Sequence, residues 1–120
     1  MRLYKRFQIE AAHWLPNVPD GHKCRRLHGH SFHIELRVEG PVGETSGWVM
    51  DFADLKAAFQ PLYQRLDHNC LNDIEGLENP TSENLARWIF ERMVQSVPQL
   101  TEVEVAETCN SGCIFRSSDL

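Results

Sequence analysis

Apolar and polar residues alternate along two stretches near the N-terminus, and a period of two predicts β-strands. The first strand is predicted over residues 3–14, with one apolar face formed by Phe7, Ile9 and Ala11. The second is predicted over residues 28–39, and its apolar face carries Phe32, Ile34, Leu36 and Val38. Charged residues occupy the opposite parity, so each strand has one buried and one exposed face.

Two later stretches place apolar residues at helical spacing. The first follows Asp51, a suitable N-cap, and its apolar positions are Phe52, Leu55, Phe59, Leu62 and Leu66. We expect Pro61 to kink or interrupt this helix, because proline lacks the N–H that the helix ladder needs. The second helix is capped by Thr81 or Ser82 and ends before Pro98, with Leu85, Trp88, Ile89 and Met93 on one side.

Three further strands complete the predicted sheet. Residues 48–50 form a short strand, and a long third strand places on one face Thr101, Val103, Val105, Glu107 and Cys109. The turn Asn110-Ser111-Gly112 leads into a last strand over residues 113–116. Residues 15–27 and 67–80 form loops. The pattern predicts one α+β domain over residues 1–120, an antiparallel sheet with two helices packed on one face.

Composition narrows the class of partner. The chain has 120 residues and a formal net charge of -5, which argues against a nucleic-acid binder, while the basic run over residues 22–26 still allows a small anionic ligand. No apolar run approaches a membrane span, and the first residues lack a signal-peptide core. We therefore expect a cytoplasmic protein without a membrane partner, whose four cysteines are free thiols: Cys24, Cys70, Cys109 and Cys113.

Three histidines lie at the ends of the apolar strand faces. His28 and His30 share the parity of Phe32 and lie about 7 Å apart along the strand. His13 has the parity of Ile9. If the two strands pair, the three imidazoles meet and form the ligand set of a catalytic zinc with an open fourth position. The alternative is that they are hydrogen-bonded core histidines.

Three other features have both a structural and a functional interpretation. Glu107 has the parity of the buried valines, so it either leaves the core, pairs with a basic group, or grips a flat guanine-like or pterin-like edge through two N–H groups. Cys24 is either an ordinary loop thiol or a reactive thiol close to the metal, flanked by cations. Asp67-His68 is either a solvated pair or a carboxylate that orients an imidazole.

Taken together, these residues resemble a known family. Its motifs occur in order along nearly the whole chain as Ala11-Ala12-His13, Cys-x-x-x-His-Gly-His from Cys24 to His30, Leu66-Asp67-His68, Pro-Thr-Ser-Glu-Asn from Pro80 to Asn84, and Glu107-Thr108. This looks like the 6-pyruvoyltetrahydropterin synthase and 6-carboxytetrahydropterin synthase family. The short gap between Cys24 and His28 resembles the bacterial carboxy-forming enzymes of queuosine biosynthesis.

The resemblance implies a tunnelling fold (T-fold), in which the sheets of several protomers join into an oligomeric barrel as trimers stacked into hexamers. It implies a zinc-dependent lyase in which His13, His28 and His30 hold Zn²⁺. Cys24 would be the general acid/base, and Asp67 and His68, from the same or a neighbouring chain, would tune it. Glu107 would bind the pterin, helped by Thr81 and Ser82.

The activity implied by the resemblance converts 7,8-dihydroneopterin triphosphate to 6-carboxy-5,6,7,8-tetrahydropterin, acetaldehyde and triphosphate. Within the same fold, the alternatives are a pyruvoyl-forming synthase and an aldolase-like cleavage of a related pterin. From another class, the alternative is a non-catalytic zinc or pterin-binding module, which would need neither the thiol nor the Asp-His pair.

Overall fold

The fold is built on one antiparallel sheet, and two helices cover one face of that sheet. The computed structural model describes residues 1–108 and 110–120. The chain order is β1 (Arg2–His13), β2 (His28–Glu39), α1 (Phe52–Leu66), α2 (Ser82–Ser96), β3 (Leu100–Ala106) and β4 (Gly112–Arg116). The strands are hydrogen-bonded in the order β1-β2-β3-β4, and every neighbouring pair is antiparallel. The predicted α+β class and its helix-covered sheet are confirmed.

The alternation along β1 and β2 sets which face is buried. Helix α1 packs against β1, and α2 packs against β3 and β4. The side chains between these layers are buried, among them Ile9, Phe32, Ile34, Leu36, Val103 and Val105. The uncovered face is polar. Glu35 on that face is nevertheless buried, because its carboxylate accepts hydrogen bonds from Arg6 at 2.7 Å and Arg37 at 2.6 Å.

The predicted caps are present at both helices. Asp51 accepts a hydrogen bond from the Ala53 N–H at 2.9 Å, and Thr81 accepts one from the Asn84 N–H at 3.1 Å. The expected interruption at Pro61 is wrong, because α1 runs through this residue. Pro61 lies on the exposed side of the helix, as does Ala57 one turn earlier, so the carbonyl left without its N–H partner faces water.

Two predicted strands differ from the structure. Residues 48–50 form bends, because the Trp48 carbonyl accepts a hydrogen bond from the Gly43 N–H at 2.9 Å and the loop therefore closes on itself. Strand β3 ends at Ala106, so Glu107 lies beyond the regular ladder, while the predicted position of Cys109 lies outside the described residues. Among the described helices, neither has the length and apolar character needed to cross a membrane.

Candidate metal centre and active site

The pairing of β1 with β2 brings the three histidines together at one end of the sheet. His13 lies directly opposite His28 in the ladder, and His30 lies opposite Ala11. The ring centroids are 4.6 Å apart for His13 and His28, 5.1 Å for His13 and His30, and 4.9 Å for His28 and His30. One nitrogen from each ring lies within 4.8 Å of the others. The shared parity predicted from the sequence therefore produces a cluster with the spacing of a metal site.

Hydrogen bonds to carbonyl groups orient two of these rings. His13 donates from Nδ1 to the Pro80 carbonyl at 2.7 Å, and His28 donates from Nδ1 to the Arg26 carbonyl at 2.7 Å. Each ring then keeps the lone pair of Nε2 for a ligand, as metal-binding histidines usually do. Burial lowers the pKa of His13, which favours the neutral imidazole that binds a metal.

The donor set fits zinc. Three imidazoles with space for a fourth ligand are the protein ligands of several catalytic zinc sites. His28 and His30 are only half-buried, so the cluster opens to solvent on one side. Within the described part of the chain, the group of candidate ligands contains these three histidines and excludes Cys24.

Glu107 lies beside this cluster. Its carboxylate accepts a hydrogen bond from the Ser82 hydroxyl at 2.8 Å, and its other oxygen is 3.6 Å from Nε2 of His30. The side chain is about one third exposed (35%). It is therefore neither buried without a partner nor fully solvated. One carboxylate oxygen is held by α2, and the group remains accessible to a ligand next to the histidines.

Thr108, which the sequence predicted only as part of a motif, contacts β2 immediately after Glu107. Continuing the β2–β3 register would pair residue 108 with Ser31. Instead of a backbone partner, the Ser31 N–H donates to the Thr108 hydroxyl at 2.9 Å. A side chain thus takes the place of a backbone bond on the β2 side. On the β4 side the Glu107 N–H still donates to the Ser111 carbonyl at 3.2 Å, so Glu107 keeps the parity of Val103 and Val105 and its carboxylate meets α2.

The two residues predicted at the start of α2 have different positions. Ser82 contacts Glu107, as described above. The Thr81 hydroxyl accepts from the Asn84 N–H at 3.1 Å and is therefore used in the helix cap. Pro80, immediately before them, supplies the carbonyl that orients His13. Sequence parity gave no signal for that carbonyl or for the Arg26 carbonyl, because any residue can supply one.

Cys24 lies on a single 3-10 turn, Lys23–Arg25, in the loop that connects the two histidine-bearing strands β1 and β2. The Cys24 N–H donates to Nδ1 of His22 at 3.1 Å, and the Cys24 carbonyl accepts from the Leu15 N–H at 2.8 Å. Arg26, the residue that follows the turn, holds His28 through its carbonyl. The half-buried Cys24 therefore lies on a braced turn that is linked to the histidine cluster through the contact between Arg26 and His28.

Asp67 and His68 form a pair at the end of α1. His68 donates from Nδ1 to Asp67 at 2.8 Å, and the other Asp67 oxygen accepts from the Glu10 N–H at 2.8 Å. Burial acts to raise the pKa of Asp67, but the Glu10 N–H and His68 outweigh it and the pKa lies below its usual value. His68 adopts a left-handed backbone with φ of 59° and has a 78% exposed side chain.

This pair is not brought to Cys24 within one chain. Among residues 1–108 and 110–120, no hydrogen bond or ion pair links Cys24 to Asp67 or His68. His68 instead faces an open cleft of about 580 Å³ that is also lined by Glu10, His30, Ser31 and Thr108. The arrangement that combines the thiol with this pair stays a prediction.

Three comparisons place the chain among known proteins. A family model described as 6-pyruvoyl tetrahydropterin synthase matches residues 2–118. A 6-carboxy-5,6,7,8-tetrahydropterin synthase of Synechocystis sp. is 49% identical, over 98% of this chain and 95% of the relative. A dihydroneopterin monophosphate aldolase of Pyrococcus furiosus is 39% identical, over 81% of this chain and 78% of the relative. The structure of Caenorhabditis elegans 6-pyruvoyl tetrahydropterin synthase has a TM-score of 0.90 at 27% identity, covering 98% and 95% of the two chains.

Proposed function

Because the chain belongs to the 6-pyruvoyl tetrahydropterin synthase family, we propose that it is the lyase that converts 7,8-dihydroneopterin triphosphate to 6-carboxy-5,6,7,8-tetrahydropterin, acetaldehyde and triphosphate. The observation that carries the proposal is the cluster of three inward histidines beside Glu107 and Ser82. This arrangement supports a ligand that presents hydroxyl groups and a flat N–H edge a short distance apart. A pterin with a hydroxylated side chain has both.

The metal in this proposal is Zn²⁺, held by His13, His28 and His30. When bound, it would act as a Lewis acid on the side-chain hydroxyls of the substrate. The Pro80 and Arg26 carbonyls would keep the rings of His13 and His28 oriented toward it. These carbonyls belong to the backbone, so the orientation does not depend on a flexible side chain.

The proton transfers are assigned to Cys24, with Asp67 and His68 tuning and relaying its proton. Since one chain does not bring the pair to the thiol, the proposal includes a homo-oligomer in which a neighbouring copy supplies it. A trimer stacked into a hexamer would also cover the strand edges that a single open sheet leaves unpaired.

The pathway proposed for this activity is queuosine (7-deazapurine) biosynthesis, and the compartment proposed is the cytoplasm. The free thiols of Cys24, Cys70 and Cys113 support a reducing compartment.

Binding of the pterin ring is assigned to Glu107, and this assignment can be tested directly. Glu107→Gln keeps the shape of the side chain but removes the charge. We expect the affinity for neopterin, a non-reactive pterin, to fall by about 1.5–3 kcal/mol, the contribution of a charge-assisted hydrogen bond. Calorimetry of the zinc-loaded protein measures this loss. Glu39→Gln at the far, exposed end of β2 removes the same charge and should bind neopterin normally. Unchanged binding by Glu107→Gln would show that Glu107 has a structural role only.

The proposed reaction cleaves the side chain of the substrate between two of its carbons. Only Arg25, Arg26 and Leu27 separate Cys24 from His28, and this short connector restricts where the thiol meets the substrate side chain. The 49% identical relative carries the name of a carboxy-forming enzyme, which supports the same choice. Retention of all three side-chain carbons would instead give a pyruvoyl product.

The product can be identified in one experiment. Zinc-loaded protein is incubated with 7,8-dihydroneopterin triphosphate, volatile aldehyde is trapped, and the pterin is identified by mass spectrometry. We expect one acetaldehyde for each 6-carboxy-5,6,7,8-tetrahydropterin. A pyruvoyl product without aldehyde would make the protein a pyruvoyl-forming synthase. No reaction of the triphosphate, together with cleavage of 7,8-dihydroneopterin monophosphate in a parallel incubation, would make it an aldolase like the Pyrococcus furiosus relative.

A further inference from the structure

The proposed substrate carries a triphosphate, and none of the groups described so far can bind it. Glu107 serves the ring and the three histidines serve the side-chain hydroxyls. The chain has a net charge of -5, so a polyanion needs a local basic site. We propose that Lys23 and Arg26, on either side of Cys24, form the subsite that binds the triphosphate of the substrate. This inference rests on the proposed function.

The other basic residue of this turn is already used. Nη1 of Arg25 donates to the Pro16 and Val18 carbonyls, each at 2.9 Å, and lies 3.6 Å from the Asp20 carboxylate. Arg25 therefore holds the loop that leads into the turn. Lys23 and Arg26 are exposed, and in the described part of the chain their side chains make no hydrogen bond or ion pair.

Most other cations of the described chain are also occupied. Five arginines pair with carboxylates: Arg2, Arg6, Arg37, Arg87 and Arg116. Two more, Arg65 and Arg92, lie over the ring of Trp88 at 5.1 Å and 4.1 Å. Lys5 lies over Phe7 at 5.7 Å, and Lys56 is exposed on α1. Lys23 and Arg26 are thus two free cations that also adjoin the metal-bearing strand.

The direction of β2 places the segment that carries these cations at the correct end of the substrate. Glu107 is 3.6 Å from His30, and His28 follows about 7 Å further along the strand. His28 then contacts the Arg26 carbonyl at 2.7 Å. The order along the site is carboxylate, imidazoles, cations. The substrate has the same order of ring, hydroxyls and phosphates, so one molecule can satisfy all three groups.

The turn also holds the two cationic residues close together. The Arg26 N–H, at the C-cap of the turn, donates to the Lys23 carbonyl at 3.2 Å, so the backbones of the two residues are tied to each other. The His22 cap and the Leu15 N–H brace the turn. A compact ammonium and a forked guanidinium carried by one short segment are groups that bind phosphate oxygens.

The test compares two ligands that differ only in the phosphates, neopterin triphosphate and neopterin. In zinc-loaded protein, Lys23→Gln and Arg26→Gln should each weaken binding of neopterin triphosphate about tenfold, the effect of one charge-assisted contact, and the double variant about a hundredfold. Binding of neopterin should not change. Lys56→Gln removes the same charge from α1 and should leave both affinities unchanged, and Arg26→Lys should retain most of the triphosphate affinity.

The outcomes separate this subsite from the proposed function. Equal losses for both ligands would mean that the variants only disturb the turn, and unchanged triphosphate binding would mean that other groups hold the phosphates. Either result overturns the subsite and leaves the lyase assignment intact. If the wild-type protein binds neither pterin, the proposed function fails, and the subsite fails with it.

Discussion

Replacing His28 with alanine is expected to remove most of the bound zinc and all turnover. The variant would lose one of three ligands, and the remaining two imidazoles cannot complete a three-histidine site. His28 also receives the orienting contact from Arg26, so the connection between the Cys24 turn and the metal is lost at the same time. His13→Ala and His30→Ala should behave in the same way.

The measurement is the zinc content of each purified variant after equilibration with equal zinc, together with its rate of pterin conversion. His33→Ala is the matched control, because His33 lies on the same strand but on its exposed, opposite face. It should keep one zinc per chain and full activity. Full zinc content in all three single alanine variants would contradict the assignment of these histidines as ligands.

Cys24→Ala is expected to keep its zinc and still bind the substrate, but to lose roughly 10²–10⁴-fold in rate, the usual contribution of a general acid/base. Among the described residues, the candidate ligands do not include this thiol, so its removal should leave the zinc content unchanged. The braced turn depends on the backbone of Cys24 and on His22, and the variant should leave it in place.

Single-turnover rates and zinc content test this prediction together. Cys113→Ala is the control: burial raises the pKa of that thiol to about 11, and it lies on β4, so its removal should not change the rate. Loss of zinc by Cys24→Ala would make the thiol a fourth ligand. A normal rate would assign the proton transfers to another group.

The sequence predicted the part of the site that depends on strand parity. His13, His28 and His30 meet because residues two apart share a face and because β1 and β2 pair without a register shift, which places His13 opposite His28. The helix caps at Asp51 and Thr81 were also predicted, since a capping side chain accepts a hydrogen bond from a backbone N–H only two or three residues further along the chain. Local chemistry was sufficient in each of these cases.

Features that depend on contacts within loops or with distant residues were not predicted. The bends at residues 48–50 follow from a contact with Gly43 in the same loop, and beyond the end of β3 the Thr108 hydroxyl takes the place of a backbone partner of Ser31. The Pro80 carbonyl that orients His13 comes from 67 residues away. Asp67 and His68 are predicted to act on another copy of the chain, which the pattern of one sequence does not position.

The central claim is that three histidines of each chain hold the metal that is needed to cleave the pterin side chain. A zinc titration of metal-free protein tests this claim most directly. Zinc is added stepwise with 7,8-dihydroneopterin triphosphate in excess, and the rate of acetaldehyde release is recorded at each step. We predict no release without metal, a linear rise, and a plateau at one zinc per chain. Full acetaldehyde release by the metal-free protein, or no release at any zinc content, would contradict this claim.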